Sequence, residues 1–265
     1  MFAKLFKHEY LGTWRMLFTV AGVIFGVSLT LLIPAWLDVP FFGRLGSALS
    51  AAGFLSGAIV VPILLAIHYW RTMYAAQGYF THSLPTRGRV IFAAKATYGC
   101  AVSLVVLVLG VALTAYAATV NSSLTIGQAW DAITAVLSPG RLWFLLAAML
   151  IAACAQYVCF LGAITLGTRG RLNRLGRGGP VIGVVVANVV MEVVATVAIL
   201  AFPLSIRMTG ADLGSLTVQP MGLGFFFADQ PPEVLGIGWF PTSILLAIVA
   251  AALAVRSIER HTCLL

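Results

Sequence analysis

The chain has 265 residues, of which 61% are hydrophobic and only 9% are charged, and its formal net charge is +8. Soluble domains carry roughly 25% charged residues, whereas disordered chains combine low hydrophobicity with high charge. The composition therefore excludes both classes, and a polytopic membrane protein remains.

Six apolar segments are long enough to cross a bilayer, which takes about 20 helical residues. Segments this apolar are expected to be helices, because each helix satisfies its own backbone hydrogen bonds inside lipid. We predict an all-α polytopic membrane protein that forms one six-helix transmembrane domain over residues 1–265. The predicted spans are about 16–37, 47–70, 96–118, 142–166, 180–203 and 234–255.

The basic residues are distributed unevenly around these spans. Thirteen of the sixteen Lys and Arg residues lie in the two terminal segments and in the loops that follow the second and fourth spans. Because cytoplasmic loops carry the excess of basic residues, both termini and those two loops are predicted to be cytoplasmic. The many Arg, Ala and Gly residues suggest a bacterial plasma membrane. Attraction to anionic lipids explains the positive charge, and no nucleic-acid partner is expected.

Two segments outside the spans also carry apolar patterns. In residues 2–14, apolar side chains recur at helical spacing among charged ones, which predicts an amphipathic elbow helix lying in the membrane plane. Between the fifth and sixth spans, residues 221–227 read Met-Gly-Leu-Gly-Phe-Phe-Phe. This run is too short to span and suggests a re-entrant or interfacial element.

No catalytic or nucleotide-binding motif is present. The chain lacks the glycine-rich phosphate loop and the H-E-x-x-H zinc motif, and its four histidines are scattered along the sequence. We therefore do not expect an enzyme, and we expect neither a metal site nor a cofactor site in this chain.

A polar stripe marks the fifth span. Asn188, Glu192 and Thr196 follow each other at intervals of four residues, so they share one helix face, with Glu192 near the middle of the bilayer. Gln156 in the fourth span is a candidate hydrogen-bond partner. Three interpretations remain open: a contact between helices or between two copies of the chain, a part of a substrate path, or a proton relay.

The first predicted cytoplasmic loop is rich in aromatic residues. A short helix broken at Gly78, followed by the turn at Leu84 and Pro85, would present Tyr79 and Phe80 to the cytosol. Such a surface suits a protein partner. Aromatic anchoring at the membrane interface explains the same composition equally well.

The loop sequence Gln77-Gly78-Tyr79-Phe80-Thr81-His82-Ser83-Leu84-Pro85-Thr86-Arg87, with Lys95 beyond it, resembles the membrane subunits of bacterial type-2 ABC exporters. The resemblance rests on Gly78, Tyr79, Thr81, Leu84 and Pro85. The N-terminal pattern Phe-x-Lys-Leu-Phe-Lys-x-Glu-Tyr over residues 2–10 is also similar to that family, whereas Gln77 stands where the family often has an acid.

The resemblance implies a permease subunit that draws its energy from a partner. The 71–86 loop would be the coupling helix that contacts a separate ATPase, which binds ATP and Mg²⁺, and a second copy or a related permease would complete the substrate path. The implied ATPase contacts are Tyr74, Gln77, Gly78, Tyr79, Phe80, Leu84 and Pro85. An ion-coupled secondary transporter, an intramembrane enzyme and a membrane scaffold remain as alternatives.

Overall fold

The computed structural model describes residues 2–75, 78–83, 86–120, 127–128, 130–131, 134, 139–168, 176, 178–207, 215–221 and 234–260. Its helices are α1 Phe2–Trp36, α2 Pro40–Met73, α3 Gly78–Ser83, α4 Gly88–Val120, α5 Pro139–Gly167, α6 Gly178–Ala201 and α7 Trp239–Arg260. Three short strands also occur, namely β1 Ser205–Arg207, β2 Leu216–Thr217 and β3 Val234–Gly236. These elements form two compact units, α1–α4 and α5–α7 with the strands.

Six of the described helices are long and apolar enough to cross a membrane, namely all except α3. The prediction of an all-α polytopic membrane protein with six spans is confirmed at this level. The predicted spans lie within or largely overlap these helices. Most helices extend beyond the predicted bounds, because apolar composition marks only the part of a helix that suits lipid.

The N-terminal segment differs from the expectation of a separate elbow helix over residues 2–14. Helix α1 is a single helix from Phe2 to Trp36, and its only internal proline is Pro34. At 1.5 Å per residue it is about 50 Å long, well beyond the thickness of a hydrocarbon core. Its first turns pack through Glu9 and Thr13, both of which are buried, and this packing explains why the segment continues α1.

The first unit is organised around α2, which packs against both α1 and α4. A tight turn joins α1 to α2, with Asp38 at a positive φ of 51° and Pro40 at the start of α2. The two helices approach so closely that a Cβ on Gly46 would lie 2.3 Å from the backbone oxygen of Leu31. Farther along, Leu32, Phe54 and Ala117 form a buried apolar cluster.

The second unit is organised around α5, which packs against α6 and α7. Ala155, Cys159 and Ala247 form its buried cluster. The strands pair antiparallel in the order β2-β1-β3 between the end of α6 and the start of α7.

The predicted start of the sixth span at residue 234 is wrong, because residues 234–236 form β3 and α7 begins at Trp239. The two glycines that precede the helix explain the difference. A Cβ on Gly236 or Gly238 would lie 2.1 Å from a backbone oxygen of α6, so this stretch is fitted closely against that helix. The predicted re-entrant run, apart from Met221, lies outside the described residues.

Candidate functional site

A buried ion pair links α1 to α4 in the first unit. Lys95 Nζ donates a hydrogen bond to Glu9 Oε1 at 2.5 Å, and the two residues are only 6% and 8% exposed. His68 of α2 places its Nε2 atom 3.4 Å from Glu9 Oε2. One carboxylate therefore joins the ends of three membrane-length helices.

Hydroxyl groups extend this cluster to the short helix α3. Lys95 Nζ also donates to Thr72 Oγ1 at 2.8 Å, and Thr72 Oγ1 donates to the backbone oxygen of His68 at 2.9 Å. Thr81 of α3 donates to the backbone oxygen of Thr72 at 2.7 Å. A continuous polar chain thus runs from α3 through Thr72 and Lys95 to Glu9.

Each helix contributes its polar groups at a spacing of one turn, which places them on one face. On α1, Thr13 follows Glu9 by four residues and donates to its backbone oxygen at 2.8 Å. On α4, Tyr98 follows Lys95 by three residues, and its hydroxyl lies 2.5 Å from Thr13 Oγ1. Because every one of these side chains makes a hydrogen bond or an ion pair within the set, their burial is compensated. We name the set Glu9, Thr13, His68, Thr72, Lys95 and Tyr98 the Glu9–Lys95 cluster.

A cavity of about 640 Å³ borders the Glu9–Lys95 cluster. Its lining includes Glu9, His68, Thr72 and Lys95 together with Phe80 and Thr81 of α3. One side of helix α3 therefore faces this cavity and is not packed against other side chains. Such a space leaves room for α3 to shift while it stays attached through Thr81.

The structure places the predicted ATPase-contact residues at different depths. Tyr79 and Phe80 of α3 are 64% and 66% exposed, whereas Gly78 is buried at the start of that helix. Tyr74 is only 4% exposed and packs its ring 6.2 Å from that of Tyr69, so it lies beneath the surface. The remaining three predicted contacts lie outside the described residues, namely Gln77, Leu84 and Pro85.

The hydrogen bond from Thr81 predicts a measurable change when it is removed. Thr81→Val keeps the side-chain shape but removes the donor to Thr72, a loss of about 1 kcal/mol, or about fivefold in the opening equilibrium of α3. We expect backbone amides of α3 to exchange hydrogen about fivefold faster in the purified variant. Ser83→Ala is the control, because the bond that it removes runs to Phe80 within α3 itself. In this variant we expect the contact between α3 and α2 to be unchanged. Equal exchange in Thr81→Val and wild type would show that Thr81 does not hold α3.

In the second unit, Asn188, Glu192 and Thr196 are all exposed along α6. Gln156 Nε2 donates to Asn188 Oδ1 at 3.0 Å, so the predicted polar partner on α5 contacts the stripe, although at Asn188. Thr196 Oγ1 donates to the backbone oxygen of Glu192 at 2.8 Å, within α6 itself. The functional role of these four residues stays a prediction.

The sequence patterns did not predict the Glu9–Lys95 cluster, because Glu9 counted only as one of the charged residues of the amphipathic helix predicted over residues 2–14. The sequence carried one signal for this cluster, namely the positions of its residues relative to the predicted spans. Lys95 directly precedes a predicted span, Glu9 lies seven residues before another, and His68 is the only histidine within a span. Pairing across 86 residues depends on how three helices pack, which spacing within one helix does not reveal.

Within the described part of the chain, no three His, Cys, Asp or Glu side chains are grouped closely enough to hold a metal ion. No family model, curated protein or solved structure matches this chain.

Proposed function

We propose that this chain is the permease subunit of an ATP-driven exporter in the bacterial plasma membrane, with both termini in the cytoplasm. The observation that supports the proposal best is α3. This short helix joins two membrane-length helices and exposes Tyr79 and Phe80 side by side, about two-thirds exposed each. Aromatic side chains of this kind are enriched in the contact surfaces of protein partners.

The polar chain supplies a route from α3 to the spans. A partner that moves α3 would act on Thr72 through Thr81, and on Glu9 and Lys95 through Thr72. The displacement would reach α1, α2 and α4 together. The partner can shift the chain between two conformations only if it binds them with different free energies. ATP and Mg²⁺ would be bound by the partner ATPase.

A single chain leaves much apolar helix surface uncovered, particularly on α6, where eight aliphatic side chains from Val181 to Val197 are at least 41% exposed. Lipid covers part of such a surface. We propose that a second copy or a related permease faces this chain and that the substrate path lies between the two subunits.

The exporter proposal predicts that α3 carries the contact with the ATPase. The chain is co-expressed with ABC-type ATPases of the same organism, and any complex is purified through a tag on the chain. The double substitution Tyr79→Ala, Phe80→Ala should lower the recovered ATPase at least about tenfold, because paired aromatic contacts exceed 1.4 kcal/mol. ATP-dependent transport should fall in parallel.

The matched control is the double substitution Phe41→Ala, Phe42→Ala. These adjacent aromatics are 71% and 60% exposed at the opposite end of α2, about 50 Å from Tyr79 by helix length. They should leave ATPase recovery unchanged. Failure of any ATPase to co-purify with the wild-type chain, or equal losses in both double variants, would contradict the proposal.

An ion-coupled secondary transporter is the second candidate, and Glu192 is the observation that favours it. A carboxyl group near the middle of a membrane-length helix is typical of ion and proton pathways. Purified chain reconstituted without any ATPase would then move substrate when an ion gradient is applied. An exporter of the proposed kind would be inactive in that assay.

A further inference from the structure

A small cavity in the second unit brings together polar side chains from three helices. Its volume is about 170 Å³, and it lies between α5, α6 and α7. Gln156 comes from α5, Glu192 from α6, and Trp239, Thr242 and Ser243 come from α7. None of the residues that line it is basic, so Glu192 has no cationic partner there.

The two hydroxyl groups are available as acceptors. Thr242 Oγ1 donates to the backbone oxygen of Gly238 at 2.9 Å, and Ser243 Oγ donates to that of Phe240 at 2.8 Å. Because each hydroxyl hydrogen is already used, what remains on both groups is oxygen lone pairs. The amide nitrogen of Gln156 uses one of its two hydrogens on Asn188 Oδ1 at 3.0 Å. The lining thus offers mainly acceptors to a ligand, namely the carboxyl group of Glu192 and the two hydroxyl oxygens.

We infer that this cavity binds the ammonium group of an amphiphilic cation, with the carboxylate of Glu192 as its counter-ion. An ammonium group donates three hydrogen bonds and carries a positive charge, which no residue of the lining supplies to Glu192. Trp239 adds an aromatic ring, which attracts cations through its face. Carboxylate, hydroxyl oxygens and an indole ring together match a primary ammonium better than Ca²⁺ or Mg²⁺, which take six or more oxygen ligands.

The size and surroundings of the cavity limit the ligand further. A cavity of about 150 Å³ accommodates a molecule the size of benzene. The cavity therefore holds an ammonium group with a few carbon atoms, and a longer apolar chain must continue outside it. Val189 lies three residues before Glu192 on the same helix and is 58% exposed, so an alkyl chain has apolar surface beside the cavity.

The interpretation of this ligand as exported cargo rests on the proposed exporter function, whereas the binding site itself does not. The experiment therefore uses the purified chain alone, in nanodiscs of zwitterionic phosphatidylcholine, which has no net charge, with radiolabelled octylammonium as the probe. We expect saturable binding of one octylammonium per chain. Glu192→Gln should weaken it at least tenfold, while Glu259→Gln, which removes an exposed carboxyl group at the end of α7, should leave it unchanged.

Competition identifies the chemistry of the ligand. Unlabelled octylammonium should displace the probe, whereas octanol, which has the same chain without the charge, should not. Trp239→Leu retains Glu192 and should weaken binding severalfold, and this variant replaces Glu192→Gln if the latter fails to elute as a single species in size exclusion.

Three results would overturn the inference: no saturable binding to wild type, unchanged binding in both variants, or equal displacement by octanol. If octylammonium is displaced when millimolar NaCl replaces choline chloride in the buffer, the cavity binds an inorganic cation. That result would also overturn the inference and favour the ion-coupled transporter. If no ATPase co-purifies with the chain but octylammonium still binds, the exporter proposal is contradicted and the binding site is not.

Discussion

We expect Lys95→Met to destabilise the protein by about 3–5 kcal/mol, because it leaves the buried carboxylate of Glu9 without its closest cationic partner. Methionine has nearly the length of lysine, so the effect reports lost charge and hydrogen bonds more than lost volume. A destabilisation of this size lowers the midpoint of thermal unfolding by about 10 °C in a chain of this length. Thermal unfolding of the detergent-solubilised variant, followed by size exclusion, measures it.

The double variant Glu9→Leu, Lys95→Met separates an unpaired charge from general damage to the packing. Replacing both members of a buried ion pair by apolar residues is often close to neutral. The double variant should therefore recover most of the lost unfolding temperature. Lys7→Met, on an exposed position of α1, serves as the matched control and should be unchanged. A double variant less stable than Lys95→Met would show that the pair does not act as described.

The second large effect is expected at the closest approach of α1 and α2. In Gly46→Ala, the added methyl group would lie 2.3 Å from the backbone oxygen of Leu31, a distance that no side-chain rotation relieves. The two helices must move apart, and overpacking of this kind costs about 1–3 kcal/mol. The same thermal unfolding assay should show a midpoint several degrees lower than that of the wild type.

Gly22→Ala is the control for the intrinsic preference of alanine over glycine in a helix. Nothing described lies within 4 Å of a Cβ on Gly22. Alanine there should stabilise α1 by up to about 1 kcal/mol, the opposite sign from Gly46→Ala. If both substitutions had the same effect, helix propensity and not the close approach of two helices would explain the result.

Composition and hydropathy predicted the number of membrane-length helices correctly, because crossing lipid demands about 20 apolar residues whatever the rest of the fold. The glycine and the Leu-Pro pair also predicted a short helix broken at Gly78, whereas in the structure α3 begins at that glycine. The same approach failed at residue 234, where pairing with β1 and the close fit of Gly236 against α6 override a continuous apolar stretch.

The stripe at Asn188, Glu192 and Thr196 shows what the residue spacing within one helix can and cannot predict. Spacing alone placed the three residues on one face of α6 and suggested Gln156 as a neighbour. It did not indicate that Trp239, Thr242 and Ser243 of α7 line a cavity with Glu192. That cavity depends on the packing of α5, α6 and α7, which brings together Gln156 and Ser243, 87 positions apart.

The sequence by itself determined that this protein is an all-α membrane protein with six apolar spans, because the bilayer acts on each segment separately. Only the tertiary structure decided that Glu9 is buried with Lys95, that α3 is attached through Thr81, and that Glu192 borders a cavity. The physical reason is the same in each case. Hydropathy is a property of neighbouring residues along the chain, whereas hydrogen bonds and ion pairs between helices depend on which faces the packing brings together.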